Sequence, residues 1–439
     1  MLGILGDRTY RHLFVAQVVA LMGTGLATVA LGLLAYDIAG GNAALVLGTI
    51  FTIKMVAYVF ISPLAGAWAD RLPRRTLLIM LDVIRAVVAL LLPFITEVWH
   101  VYVLIFALQS ASAVFTPTFQ ATIPDVLPDE ARYTRALSLS RLAYELENVI
   151  SPVLAALLLM AVPYEFLFIG TFVGFIVSAA LVISVTLPNP PVVERRSAYD
   201  RTTKGLRIFL ATPRLRGLLA LNLAAAAAGA MVLVNTVVLI RATLTLSDTA
   251  VALTLGCFGA GSMLAALALP ALLERVNERR LMVAGAMLMA VTLLILAGWA
   301  VASNLTWPSL LIAWLFAGIG YSMALTPAGR LLRRSAHPGD RPALFAAQFS
   351  LSHVCWLITY PLAGWLMTTA GPVPTLLALG ALSVVGIGIS LTIWPVEDIE
   401  ALEHHHDNLP LDHPHLQGER THTHLLVIDE HHARWSARQ

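Results

Sequence analysis

Apolar residues in this chain do not alternate with polar ones. They gather in long runs, separated by short stretches where charge, proline and glycine collect. A run of about 20 apolar residues is what an α-helix needs to cross a hydrocarbon core of about 30 Å. Twelve such runs can be marked, at residues 12–36, 44–69, 76–95, 100–122, 134–161, 164–187, 216–241, 249–273, 281–302, 307–327, 344–369 and 373–394. The first begins beyond Arg8 and Arg11, contains Gln17 and several glycines, and has no A-x-A site behind a short apolar core. It therefore reads as a retained helix and not as a removed leader. The pattern predicts an all-α membrane protein with twelve transmembrane helices.

Composition points the same way. The chain is 58% hydrophobic and 12% charged, against about 25% charged in ordinary soluble domains. The net charge of +2 gives no reason to expect nucleic acid as a partner. Cys257 and Cys355 lie inside predicted helices without a CxxC spacing, as small apolar packing residues do. No P-loop, nucleophile elbow or HExxH occurs, so neither ATP hydrolysis nor an enzymatic reaction is expected.

The position of the charges matters more than their sum. Arginines fill alternate connections: Arg8 and Arg11, then Arg71, Arg74 and Arg75, then Arg132 and Arg135, then the stretch from Arg195 to Arg216, then Arg275, Arg279 and Arg280, then Arg330, Arg333, Arg334 and Arg341. The intervening connections hold none, and Arg241 alone lies near that opposite side. The positive-inside rule then places both termini in the cytoplasm of a multi-pass cell-membrane protein. The longest basic connection divides the chain into a first six-helix half over residues 1–187, a linker over 188–215 with a short interfacial helix around Tyr199 to Leu210, a second half over 216–395, and a tail over 396–439. The halves echo each other: Asp70-Arg71 in GAWADRLPRR returns as ERVNERR, Glu274 to Arg280, in the equivalent connection. A parallel repeat is the signature of a transporter whose halves rock about a midplane site.

GAWADRLPRR resembles the loop signature of the major facilitator superfamily, matching on Gly66, Asp70, Arg71, Arg74 and Arg75, with Pro73 where that family usually has Gly. The resemblance covers about residues 5–395 and implies the major facilitator fold, two pseudo-repeated six-helix halves, with these loop residues acting as a gate latch. FTPTFQATIPDVLPDE, Phe115 to Glu130, followed by a fifth helix with Ser151-Pro152, is similar to the third drug:proton antiporter branch, although the antiporter motif of that helix normally presents Gly-Pro.

A charge at the bilayer centre costs about 3 kcal/mol or more, so each one inside a span needs a partner or a cavity. Lys54, one of only two lysines, lies well inside the second span, as a coupling cation or as a structural ion pair. Arg141 and Glu145 lie four apart on one helix face and can pair, whereas Glu147 lies on the other side of the helix. Glu147 is the expected proton carrier and Glu145 the second choice, the alternative being a purely structural network. Asp82 and Arg85 read as a structural pair of the gate on the basic side. The superfamily's arrangement implies that Gln17, Gln109, Asn222 and Asn235 line the cavity; each is otherwise an interhelical hydrogen-bond partner. His353 is a proton relay, a soft ligand or a packing residue.

Beyond Pro395 the composition changes. Nine of 13 histidines fall in the tail: His404, His405, His406, His413, His415, His422, His424, His431 and His432. Interleaved with carboxylates, they suit Ni, Co, Cu or Zn in a loose chelating segment, since no spacing matches a closed zinc module. The apolar run LLVID and Trp435 suggest a strand or a docked segment. A His-rich end on such an exporter resembles the nickel-resistance permeases. The expectation is a secondary active exporter coupled to protons, a monomer in the lipid bilayer, requiring no cofactor beyond a transition metal held by the tail. Its expected cargo is a divalent metal such as nickel or cobalt; the alternatives are a macrolide-type or multidrug efflux pump, and a membrane sensor that transports nothing.

Overall fold

A computed structural model describes residues 2–61, 73–188, 198–336, 340–395, 401–405 and 421–425. Its long helices follow the apolar runs closely, because in a membrane each run must satisfy its own backbone hydrogen bonds and has only the helix with which to do so. They are α1 (Arg8–Ala39), α2 (Ala43–Val56), α3 (Arg74–Leu91), α4 (Val98–Val126), α5 (Glu130–Leu159) and α6 (Glu165–Ile183). After α7 (Ala198–Ala211) come α8 (Pro213–Val238), α9 (Asp248–Leu273), α10 (Glu278–Ser303), α11 (Trp307–Leu325), the short α12 (Ala328–Arg333), α13 (Arg341–Ala370) and α14 (Pro372–Ile393). Two helices end in a π turn, α2 at Ala57–Ile61 and α8 at Leu239–Thr243.

Local chemistry fixes the helix ends. The Asp7, Asp129 and Asn277 side chains accept from the backbone N–H groups of Tyr10, Arg132 and Arg280, at 3.0, 2.8 and 2.9 Å, capping α1, α5 and α10. Thr306 and Ser309 form a reciprocal capping box at the start of α11.

The helices before and after α7 pack by one scheme used twice. In the first set α1 packs on α5 and α6, α3 on α4 and α6, and α2 on α4; in the second α8 packs on α13 and α14, α10 on α11 and α14, and α9 on α11. Two seams join the sets, α2 against α13 and α5 against α9.

The apolar core is not uniform along the bundle. One end carries the start of α1 and the basic connections; call it the terminal side, and the other the far side. On the far side a single cluster draws buried side chains from both sets, including Leu33, Leu47, Phe168, Met231, Leu293 and Met367. On the terminal side the core splits. One cluster, around Leu13, Leu78 and Phe119, belongs to the first set, and another, around Leu215, Met282 and Trp394, to the second. Among the described residues the apolar core is thus shared by both sets at the far end and separate for each set at the terminal end. The predicted interfacial helix is α7, whose Ile208 and Phe209 are buried in the second set's cluster, while Lys204 pairs with Asp340 at 2.7 Å.

The tail holds one antiparallel pair, β1 (Ala401–His405) with β2 (Thr421–Leu425).

Candidate functional site

The seam between α2 and α13 closes most tightly near its far end. A Cβ on Gly48 would lie 2.8 Å from the Tyr360 carbonyl oxygen and 3.2 Å from the Gly364 Cα, so glycine there lets the backbones meet. Phe51 stacks on Tyr360 at 5.0 Å, and Trp356 packs on Tyr360 at the same centroid distance. The aromatic series continues through Tyr321 and Phe258 on α11 and α9.

Nearer the midpoints of the helices this seam becomes polar. Lys54 of α2 and Glu147 of α5 are electrostatic partners. The π turn that follows α2 carries Tyr58, whose hydroxyl is hydrogen-bonded to that of Thr116 on α4 and which also feels the Glu147 charge. A π turn adds a residue to the helical ladder and so re-aims the side chains it carries, which is why such turns recur at working sites. Across the seam the His353 ring stacks on Tyr58 at 5.5 Å and 12°, with Phe349 4.0 Å from His353. Nδ1 of His353 lies 2.6 Å from the Phe349 carbonyl oxygen. A bond donated there makes Nδ1 the protonated nitrogen of the neutral ring and leaves Nε2 as an acceptor. An acid, a base, a phenol and an imidazole drawn from both sets thus meet near mid-depth, where α2, α4, α5 and α13 converge.

A second cross-set contact closes the far side. Arg241, on the π turn after α8, pairs with Asp248 at 2.7 Å and lies 5.3 Å over the Tyr36 ring of α1. Beside it, in the connection between α5 and α6, Tyr164 donates to Asp37; burial and then the Asp37 charge push the Tyr164 phenol above its ordinary range, so it remains a donor.

The sequence matches the Major Facilitator Superfamily over residues 13–240 and again over residues 218–409. The chain belongs to this family. Ten of its described helices are long and apolar enough to cross a membrane, as in a multi-pass membrane protein.

Curated relatives include the uncharacterized MFS-type transporter YfiS of Bacillus subtilis (strain 168), 25% identical over 148 residues, which are 34% of this chain and 35% of that protein. Macrolide efflux protein A of Streptococcus pyogenes is 25% identical over 151 residues, 33% of this chain and 36% of that protein. The matched stretches thus span about a third of each relative's length. Among solved structures, a POT family transporter in complex with 5-aminolevulinic acid has a TM-score of 0.68 at 12% identity, covering 88% of this chain and 96% of that one. A bacterial homolog of the human lysosomal transporter Spinster, inward-facing and occupied, has a TM-score of 0.66 at 14% identity, covering 88% and 96%. At these identities the structures speak for the major facilitator fold alone.

The four amides expected to line the cavity are all buried in this conformation. The Ser140 hydroxyl donates to Gln17 at 2.8 Å, joining α5 to α1. Asn235 is 0% exposed, and its amide donates weakly to the Ala363 carbonyl at 3.4 Å across the α8–α13 contact. Gln109 and Asn222 are buried as well. Among the described residues, Asn222 and Asn235 each keep one buried amide atom, Nδ2 and Oδ1, without a hydrogen-bond partner, whereas Gln17 is held by a neighbouring helix as buried amides in an apolar bundle usually are.

Asp82 and Arg85 form a buried ion pair. The Ser178 hydroxyl donates to Asp82 at 2.8 Å, and the guanidinium of Arg85 lies over Phe115 at 3.9 Å and Phe175 at 4.5 Å. Every one of these partners belongs to the first set, so the pair ties α3, α4 and α6 together. Arg74 pairs with Asp125, and Arg75 donates to the Ile183 carbonyl, again within the first set. The echo loop of the second set has a counterpart in Glu278, which holds Arg330 at 2.7 Å and Arg334 at 3.8 Å.

Gly66, Asp70 and Arg71 lie outside the described residues, as do the side chains of Arg141 and Glu145. Of the tail histidines, His404, His405, His422 and His424 fall on the two strands; His406, His413, His415, His431 and His432 lie outside the described residues. Among the described residues, no group of three His, Cys, Asp or Glu side chains is poised for a metal. Tyr58, Thr116 and Phe349 had no signal in the sequence, since aromatic and hydroxyl side chains are common in membrane helices.

Proposed function

We infer that this transporter is a proton-coupled exporter of an amphipathic organic molecule, with Glu147 as the proton carrier and Lys54 as its counter-charge. The observation that carries the reading is the meeting of Lys54, Glu147, Tyr58 and His353 where the two sets join. A carboxylate facing an ammonium in a site of low dielectric can be neutralised by a proton or by a cationic group of the cargo. Either event removes the attraction that draws α5 and α2 together. If proton and cargo favour opposite conformers, the two movements are coupled. Taking the terminal side as cytoplasmic, a core shared on the far side and split on the terminal side describes an inward-facing conformer, whose counterpart would form by parting the far side. The ring series Phe51, Tyr360, Trp356, Tyr321 and Phe258 beside the charges suits a cargo with a broad apolar face. The limited similarity to a macrolide efflux protein fits that cargo.

A second reading, a nickel or cobalt cargo, is favoured by the nine tail histidines. One experiment separates the two: purified protein in liposomes with an imposed pH gradient, supplied with erythromycin in one arm and Ni²⁺ in the other. Gradient-driven accumulation of erythromycin alone supports the organic cargo, and of Ni²⁺ alone the metal. In either arm Glu147→Gln is expected to abolish the dependence on the gradient while the protein still folds. Equal gradient-driven flux in the variant removes Glu147 from the mechanism.

A further inference from the structure

Phe349, His353, Trp356 and Tyr360 are spaced three or four apart on α13 and so share one side of that helix. That side faces into the bundle, since Ile358 and Trp365, each 54% exposed, lie about 180–200° round the axis from Trp356. Tyr360 is buried there, but Trp356 is only half-buried. Tyr321 of α11 is half-buried too, although it stands about 180° round its own helix from the exposed Ile312. Side chains that point inward and yet stay half-buried border a space that protein atoms do not fill.

Three neighbours fix the indole of Trp356. Tyr360 lies 5.0 Å away between ring centroids, and Tyr321 meets it edge-on at 6.4 Å and 62°. The third neighbour is α8, whose residues 224–230 are alanine or glycine throughout. The rim of the indole rests on Gly229: a Cβ there would lie 2.5 Å from Cη2 and 3.1 Å from Cζ3 of Trp356. Carbon atoms in contact sit about 3.5–4.0 Å apart, so a methyl group at 229 would drive the ring away by about 1 Å. The ring gives way and the backbone does not, because the atoms met are the far end of a side chain. With tyrosines on its flanks, the ring can move only into the unfilled space.

We propose that Trp356 is the specificity-determining residue of this space, a wall that gauges the size of the apolar part of the cargo, and that Gly229 is its positioning residue. An indole suits the task, being large, flat and turned by only two side-chain torsions. This selection rests on the reading of an organic cargo given above and adds what chooses among such cargoes: bulky ring systems are admitted because α8 presents no side chain behind the indole. In an apolar pocket a single methylene changes discrimination about 10–200-fold. Moving this wall by about 1 Å is therefore enough to re-rank two cargoes of different size.

The test uses the full chain in liposomes under an imposed pH gradient, with erythromycin as the large probe and ethidium as the small one, and reads the ratio of their kcat/KM values. Gly229→Ala should lower erythromycin relative to ethidium by about tenfold or more. Trp356→Phe, with a smaller ring, should shift the ratio several-fold the other way. Adding Gly229→Ala to Trp356→Phe should then change it less than threefold, since the outer ring that the methyl group would strike is gone. A purely structural role would depress both fluxes alike and leave the ratio where it was. A ratio within threefold of wild type in both single variants, or a double variant shifted as far as Gly229→Ala alone, overturns the proposal and leaves the reading of Glu147 standing. If Gly229→Ala does not fold, the ratio in Trp356→Phe decides by itself. Wild-type protein that moves neither probe overturns the organic-cargo reading and this proposal with it.

Discussion

Ser151, beside Pro152 within α5, sits where α1 approaches most closely. Near mid-depth α1 presents Gly25 to α5, and a Cβ built on Gly25 would fall far inside van der Waals contact of both Cβ and Oγ of Ser151, which is 1% exposed. Gly25→Ala should therefore overpack a closed site, at a cost of about 1–3 kcal/mol. Even the middle of that range is a large part of the net stability of a typical domain. Ser151→Gly removes both clashing atoms. The nearest remaining atom would then be Cγ of Glu147 at 3.5 Å, an ordinary contact. The two helix-propensity changes are opposite in sign and nearly cancel, so the double variant should return close to wild type. The measurement is a set of melting curves on the purified full chain in detergent at one scan rate, for wild type, both single variants and the double. Gly25→Ala should melt lower, and Ser151→Gly in that background should raise the midpoint, a coupling of about 1–3 kcal/mol. Additive losses, or a Gly25→Ala variant melting with wild type, would refute the packing argument.

Two further outcomes follow from the ion pairs. Asp82→Ala takes the carboxylate from beside the buried Arg85 and should destabilise the first set by about 3–5 kcal/mol, seen as loss of folded protein on size-exclusion chromatography; Asp82→Ala with Arg85→Leu should recover part of it, and an Asp82→Ala variant as stable as wild type would contradict the assignment. Arg241→Gln should loosen the far side, so that a cysteine at Val237, 3% exposed, reacts several-fold faster with an impermeant maleimide in a background lacking Cys257 and Cys355; an unchanged rate would mean that Arg241 does not hold the closure.

The apolar runs made the helices legible because a bilayer forces each run to complete its own hydrogen bonds, and apart from the second run, whose predicted end at residue 69 lies outside the described residues, the observed ends fall within a few residues of the predicted ones. Glu147 and Lys54 were visible for the opposite reason: charge in such a run is conspicuous. Partnership was hidden. Gln17 and Asn235 could equally well have faced a cavity or a neighbouring helix, and only the packing of α5 and α13 against them decides it. Tyr58 is one aromatic among many in the sequence. It becomes notable through the π turn at Ala57–Ile61 and the imidazole from α13, a helix almost 300 positions away. The tail register was likewise out of reach, since alternation in a five-residue strand surrounded by histidines fixes no partner.

The doubled packing scheme has a consequence for how the machine is driven. If α2 corresponds to α9 and α13 to α5, the α2–α13 and α5–α9 seams are images of each other, and a perfectly symmetric molecule would have no preference between opening one way and the other. The sequence breaks that degeneracy with chemistry. One seam carries Tyr58 stacked on His353, whereas in its image a Cβ built on Gly256 would lie 3.9 Å from Pro152 and 3.7 Å from Val153. Among the described residues the first joint carries a phenol and an imidazole, and the second brings small apolar groups together. Glu147 on α5 and Lys54 on α2 link the two joints, and on the function proposed for them a single proton would tilt a balance that the repeated packing leaves level.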